Sequence, residues 1–245
     1  MRSLPRAAQE HNMNDSLARS TAINSALRQI HDSGETVTQS GKRVKSFPVG
    51  MTEASGKSLR ELLVHAAPRR TFETGFALGL ASAYILDGHI KAGTASPGCH
   101  VIMDPFQRSE WGNAGLHLLD VTGCRNLVEF MESDSAIALA GLLAKSERFQ
   151  WAFVDGGHLF ENVFLDLYYA HRLVEPGGMV VVDDLWMPAV RTAIAYFQSN
   201  WGTTVTLNPN DLGLRRFAIL TIPSAPSRPW DHFAKFTDFQ EGGTK

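Results

Sequence analysis

The sequence predicts an α/β protein built on a doubly wound, mostly parallel sheet that ends in an antiparallel hairpin. Three observations carry this. Strand-like apolar runs alternate with helical stretches five times between Thr71 and Trp201, the pattern of βα units. Two of the runs, FVDGGH and GGMVVVDD, stop on aspartates, Asp155 and the adjacent Asp183 and Asp184, where a buried parallel strand would surface. The last two, TTVTLN and RRFAILTI, are joined by NPNDLGL, too short for a crossover helix.

The bulk properties agree. A chain of 245 residues, 44% of them apolar, suits one sizeable domain with an appendage. A formal charge of −2 gives no case for a nucleic-acid partner, whose phosphates call for a basic surface. No run of about eighteen apolar residues is present, so no membrane span is expected. The opening MRSLPRAAQEHNMND has arginines but no apolar segment, unlike a secretory signal, and the expected location is cytoplasmic. Cys99 and Cys124 abut strand-like runs and are expected as buried free thiols.

Along the chain, residues 1–48 are polar and read as an arm or lid, with disorder the rival. Ser16 to Ile30 can form a helix with Leu17, Ile23, Leu27 and Ile30 near one face, followed by the flexible HDSGETVTQSGKRVK. Residues 49–245 form the main domain. SGKSLRELLVHAAPRR reads as its first helix. Strand and helix then alternate: TFETG and a helix to Leu86, HVIMD and a helix near Ala114–Leu119, NLVEFM and Ala136–Lys145, FQWAFVDGG and Glu161–Leu173, GGMVVVDD and Ala189–Trp201. The tail RPWDHFAKFTDFQ places Trp230, Phe233, Phe236 and Phe239 at three-residue intervals and reads as a short covering helix.

In such sheets ligands bind at the carboxyl ends of the strands. If the strands ending on Asp155 and on Asp183–Asp184 are neighbours, their ends lie about 5 Å apart. Like charges about 4 Å apart repel by roughly 4 kcal/mol at an effective dielectric of 20. No Lys or Arg lies within six residues of either group along the chain. A bound cation, a shared proton or a distant basic partner must offset the repulsion, and a divalent metal is the sharpest of these. The rival is one helix-capping and one protonated aspartate.

The first βα turn, Glu73-Thr74-Gly75-Phe76-Ala77-Leu78-Gly79, lets a ligand approach backbone that has no Cβ, just before a helix N-terminus. Close packing is the alternative, and the Gly-x-Gly-x-x-Gly dinucleotide spacing is absent. Asp104, closing HVIMD, can accept both ribose hydroxyls or make a turn before Pro105. Together Glu73, Gly75, Gly79 and Asp104 favour a nucleoside site.

At these residues the chain resembles the class I S-adenosylmethionine-dependent methyltransferases, a Rossmann-like fold, nearest to the metal-dependent O-methyltransferases of the catechol, caffeoyl-CoA and macrolide-sugar types. FETGFALGLAS is similar to the family's E-x-G-x-x-x-G motif and VIMDPFQ to its ribose-binding strand end. FVDGGHLFENVFLDL is similar to its D-G-x-H segment, and LVEPGGMVVVDD to its L-x-P-G-G strand ending in a metal-binding acidic pair. The resemblance spans residues 49 to 222. It implies S-adenosyl-L-methionine as cofactor, bound by Met51, Glu73, Gly75, Gly79, Asp104 and Asp155. Asp134 and Ser135 fall where relatives contact adenine, surface capping being an equal rival. It further implies one Mg²⁺ or similar ion on Asp155, Asp183 and Asp184, a small hydroxylated acceptor, and a homodimer.

The ion would bind the acceptor and acidify one hydroxyl, with Asp155 and His158 as the catalytic pair. His158 falls where catechol-type relatives place a lysine base, and it titrates near neutrality. A partner role beside Asp155 is as well supported. Gly156 and Gly157 depart from catechol-type relatives, which carry bulky rings there, and macrolide-sugar relatives have an acid where this chain has Gly157. Phe106 or Trp111 can substitute for the rings, and Trp186 and Met187 can wall an acceptor. The rivals are a metal-independent methyltransferase with His158 as base, a non-catalytic S-adenosylmethionine-binding module, and a nicotinamide oxidoreductase, the last disfavoured by its missing glycine pattern.

Overall fold

The computed structural model describes residues 6–207, 217–224 and 228–237. They divide into two compact units. One comprises Met1–Ala67, Ala77–Gly98 and Phe106–Val128, the other Pro68–Phe76, Cys99–Pro105 and Glu129–Lys245.

The first unit holds helices α1 (Arg6–Ser33), α2 (Glu53–Ala66), α3 (Leu80–Lys91) and α4 (Ala114–Val121), with a hairpin of β1 (Glu35–Val37) and β2 (Arg43–Lys45). Helix α1 runs longer than its apolar spacing indicates, and Gly34, at φ 72°, ends it. Ile23, Leu27 and Ile30 are buried as expected, whereas Leu17 is exposed. The segment expected to be flexible forms the hairpin instead, closed by Thr38 accepting from the Gly41 N–H at 2.9 Å. Helix α2 starts at Thr52, whose hydroxyl accepts from the Ser55 N–H, the usual way of satisfying an orphan donor. Asp87 of α3 is fully buried and joins three helices, accepting from Ser20 of α1 at 2.6 Å and Arg60 of α2 at 3.0 Å.

The second unit holds the sheet. Its strands are β3 (Thr71–Thr74), β4 (His100–Met103), β5 (Val128–Met131), β6 (Phe149–Val154), β7 (Val174–Val182), β8 (Thr204–Leu207) and β9 (Ala218–Thr221), in the order β5-β4-β3-β6-β7-β9-β8. β4, β3, β6 and β7 pair in parallel, while β9 is antiparallel to both β7 and β8. The doubly wound sheet with its terminal antiparallel pair is thus as the sequence indicates. The residues joining β8 to β9 lie outside those described.

Helices α5 (Ser135–Ala144), α6 (Phe160–Leu173) and α7 (Pro188–Trp201) cover one face. There Phe72, Val101, Val154 and Val180 pack with Leu139, Leu167, Ile194 and Phe197 into one buried cluster. Every residue of β3 and β4 is buried, which is why these strands read as continuous rather than alternating apolar runs. Cys99 and Cys124 are buried free thiols.

The tail corrects one expectation. Residues 228–237 contain no helix. Asn200 of α7 instead binds them, donating to the Ala234 carbonyl at 3.0 Å and accepting from its N–H at 2.7 Å. Arg228 stacks on Trp201. Pro229 and these side-chain bonds outweigh the aromatic spacing, and Phe239 lies outside the described residues. Among the described residues no helix is long and apolar enough to cross a membrane.

Candidate active site

The chain runs β3 to β5 toward one side of the sheet and then restarts at β6 beside β3, so the strand order reverses between β3 and β6. Ligands of such sheets bind at that reversal. Thr74 is in register with Met103 and with Val154, and Val154 with Val182. The next residues, Asp104, Gly75, Asp155 and Asp183, therefore leave four neighbouring strands at one level.

Gly75 has φ 81°, and a Cβ there would stand 2.1 Å from the Asp155 carbonyl oxygen. Glycine is required on both counts. The Gly75 N–H donates to Met103 at 3.0 Å and the Asp155 N–H to Thr74 at 3.0 Å, continuing the ladders past the strands. Asp104 is buried, and its Oδ2 accepts from the Phe76 N–H at 3.0 Å. Its carboxylate thus holds the turn after β3.

Glu73 is buried on β3, with Oε2 2.9 Å from His100 Nε2, and His100 Nδ1 lies 2.8 Å from Thr71 Oγ1. Burial holds the His100 pKa down at about 3, so the ring is neutral. A carboxylate only accepts, so Nε2–H donates to Glu73 and Nδ1 accepts from Thr71. In the first unit, Gly79 precedes α3 at φ 79° and Met51 is buried just before α2. Asp134 caps α5, accepting from the Ala136 N–H at 2.9 Å, with Ser135 the first helical residue.

Asp155, His158 and Asp184 offer ligand atoms that all lie within 4.8 Å of one another. His158 Nε2 is 2.7 Å from Asp184 Oδ2 and 3.8 Å from Asp155 Oδ1. The sequence pointed to three carboxylates. The structure instead brings an imidazole into the group, while Asp183, also buried, turns its Oδ1 to accept from the Asp184 N–H at 2.7 Å. Asp184 sits at φ 56°, a left-handed conformation that is uncommon for any residue but glycine and that concentrates at functional sites. The Trp186 indole donates to Asp184 Oδ1 at 2.9 Å. The carboxylates of Asp155 and Asp184 raise the His158 pKa to about 10. With both anions unneutralised, His158 is an imidazolium and cannot serve as a base at neutral pH.

Gly156 and Gly157 lie close to side chains of α6. A Cβ on Gly157 would stand 2.8 Å from the Asn162 amide, and one on Gly156 would stand 3.2 Å from Asp166 Oδ2. A side chain at either position requires these α6 side chains to shift. Asp166 went unnoticed in the sequence. It is buried on α6, and burial raises its pKa to about 6. The signal was available, since Asp166 falls between Val163 and Ala170 on the helix's apolar face. Trp186 is well exposed, whereas Met187 packs against the core.

Residues 72–185 match the methyltransferase domain family. An O-methyltransferase from Bacillus cereus, solved in complex with SAH, superposes with a TM-score of 0.61 at 14% identity, covering 82% of this chain and 90% of that one. TomG from Streptomyces achromogenes, an O-methyltransferase involved in tomaymycin synthesis and solved with SAM, gives 0.61 at 18% identity, covering 83% and 90%. The SAH-bound Podospora anserina methyltransferase PaMTH1 gives 0.63 at 12% identity, covering 91% and 100%. No curated protein matches in sequence. The chain has the fold of the class I S-adenosylmethionine-dependent methyltransferases, as its motifs indicated, and O-methyltransferases are among its structural neighbours.

Proposed function

We propose that the protein transfers the methyl group of S-adenosylmethionine to a hydroxyl of a small molecule, assisted by a divalent cation held at Asp155, His158 and Asp184. The observation that carries this is the meeting of those three side chains within 4.8 Å at the end of β6, one strand from the Gly75 turn. Donors about 2.1 Å from a shared ion lie at most about 4.2 Å apart, so the group fits an ion after a small closure. Two carboxylates would also neutralise its charge. An imidazole nitrogen makes Mn²⁺ or Zn²⁺ as apt as the Mg²⁺ implied by resemblance. When bound, the ion supplies Lewis acidity that lowers the pKa of the acceptor hydroxyl.

The chain's own groups do the rest. Asp155 and Asp184 fix the acceptor side at the sheet edge. His158 must lose its proton for its Nε2 to join the ion, so in this reading it is a ligand and not the base, and the acidified hydroxyl gives its proton to solvent. On the cofactor side, the proposal assigns the sugar to Asp104, the approach to bare backbone to Gly75 and Gly79, the adenine end to Asp134 and Ser135, and a cofactor contact to Met51. Glu73, engaged by His100, supports the turn. Asp183 orients Asp184 through its N–H. Residues 1–48 as an arm or lid of the 49–245 domain, a homodimer and a cytoplasmic location belong to the same reading, as does an acceptor that is neither nucleic acid nor membrane.

A second reading is favoured by the 2.7 Å contact between His158 and Asp184: His158 as imidazolium takes the cation's place, and transfer is metal-independent. Calorimetric titration of Mn²⁺ and Mg²⁺, with methyl transfer to a panel of phenols and aliphatic alcohols measured with and without EDTA, separates the two. Cation binding abolished by Asp184→Ala, with EDTA-sensitive transfer, supports the first. EDTA-insensitive transfer supports the second, and S-adenosylmethionine binding without transfer would support a binding module.

A further inference from the structure

Asp184 has two carboxylate oxygens, and the structure gives them different partners. Oδ2 faces His158 at 2.7 Å, and Oδ1 accepts from the Trp186 indole N–H at 2.9 Å. We propose that Trp186 is a positioning residue for Asp184, its N–H holding Oδ1 so that Oδ2 alone is presented to Asp155 and His158. This rests on the divalent-cation reading of that cluster.

Three features support it. The indole N–H is a donor only, so its contact with a carboxylate has one sense. Trp186 is 59% exposed, so core packing does not fix its place and the hydrogen bond to Asp184 does. The backbone around it is anchored as well. Arg191 at the start of α7 donates to the Trp186 carbonyl at 2.9 Å, and the Met187 N–H donates to the Asp184 carbonyl at 2.8 Å. A left-handed residue at 184 aims its side chain differently from a strand residue, so its orientation needs such support. Carboxylates that hold metals are commonly hydrogen-bonded by a neighbour, whose loss weakens metal binding about 10- to 100-fold.

Mn²⁺ binding to the full chain, measured by calorimetry, tests this with two variants. Trp186→Phe keeps a ring and loses the N–H. Trp186→Gln keeps an N–H at similar reach and loses the ring. The expected result is about tenfold weaker Mn²⁺ binding in Trp186→Phe, near wild-type binding in Trp186→Gln, and unchanged thermal midpoints in both. Binding within twofold of wild type in Trp186→Phe overturns the inference. So does equal weakening in both variants, which would assign the effect to the ring. If the wild-type protein binds no Mn²⁺, the cation reading falls and takes this inference with it. Binding in wild type that Trp186→Phe leaves intact removes this inference alone.

Discussion

The sheet carries two histidine–carboxylate contacts of nearly equal length and opposite character. His100 meets Glu73 at 2.9 Å and His158 meets Asp184 at 2.7 Å. The first lies wholly inside the sheet, where burial holds the imidazole pKa at about 3. The second lies at the strand edge, where Asp155 and Asp184 raise the imidazole to about 10. One ring is a neutral hydrogen-bond donor and the other a cation. Contact distance does not decide the protonation state. The balance between lost water and nearby charge does. The buried pair is built to stay fixed, and the edge pair to change its charge when something else neutralises the two anions.

The edge pair yields the largest effect. Asp184→Ala is expected to remove Mn²⁺ binding and to lower methyl transfer by about a thousandfold, as loss of several kcal/mol of charge stabilisation implies. Turnover within tenfold of wild type would instead favour the metal-independent reading. The protonation state gives the next effect, through the pH–rate profile. Because the folded-state His158 pKa is raised to about 10, the ring is charged well above neutrality when no cation is present, so Mn²⁺ binding, which needs the unprotonated ring, should tighten as pH rises toward about 10. A higher Mn²⁺ concentration should move the resulting climb in rate to lower pH, and His158→Ala should remove it.

The buried pair responds through stability. His100→Phe leaves Glu73 without its imidazole donor and should cost about 1–3 kcal/mol, read from denaturant unfolding, whereas His100→Gln should cost less. Because the His100 pKa is lowered from 6.5, the unfolded chain binds more protons below that value. Stability should fall as pH drops from about 6.5 toward about 3, and neither variant should show that component. Asp166 has the reverse sign. Its carboxyl, raised from 3.8 to about 6, favours the folded state while protonated, so stability should decline by about 2 kcal/mol as pH rises from about 4 to about 6. Asp166→Asn should flatten that slope.

Much of this was legible in the chain because the signals were local. Apolar runs ending in Asp104, Asp155 and Asp183 located the strand ends, and Gly75 marked the close approach to Asp155. What escaped depended on packing in three dimensions. His158 joins the ligand group because the loop between β6 and α6 carries it back toward Asp184, and Asp183 Oδ1 accepts from the backbone of Asp184, which is left-handed. Hairpin β1–β2 comes from a polar segment without strand-like alternation. The 228–237 tail is held by Asn200, a residue remote from it in sequence. Asp166 was visible in principle as an acid on an apolar helix face.

The central claim is that Asp155, His158 and Asp184 hold one divalent cation. Anomalous diffraction from crystals grown with Mn²⁺ and S-adenosylmethionine tests it most directly. The account predicts a single strong peak bonded to one oxygen of each aspartate and to the His158 imidazole. A peak elsewhere, or His158 still paired with Asp184 and no peak between them, would contradict it.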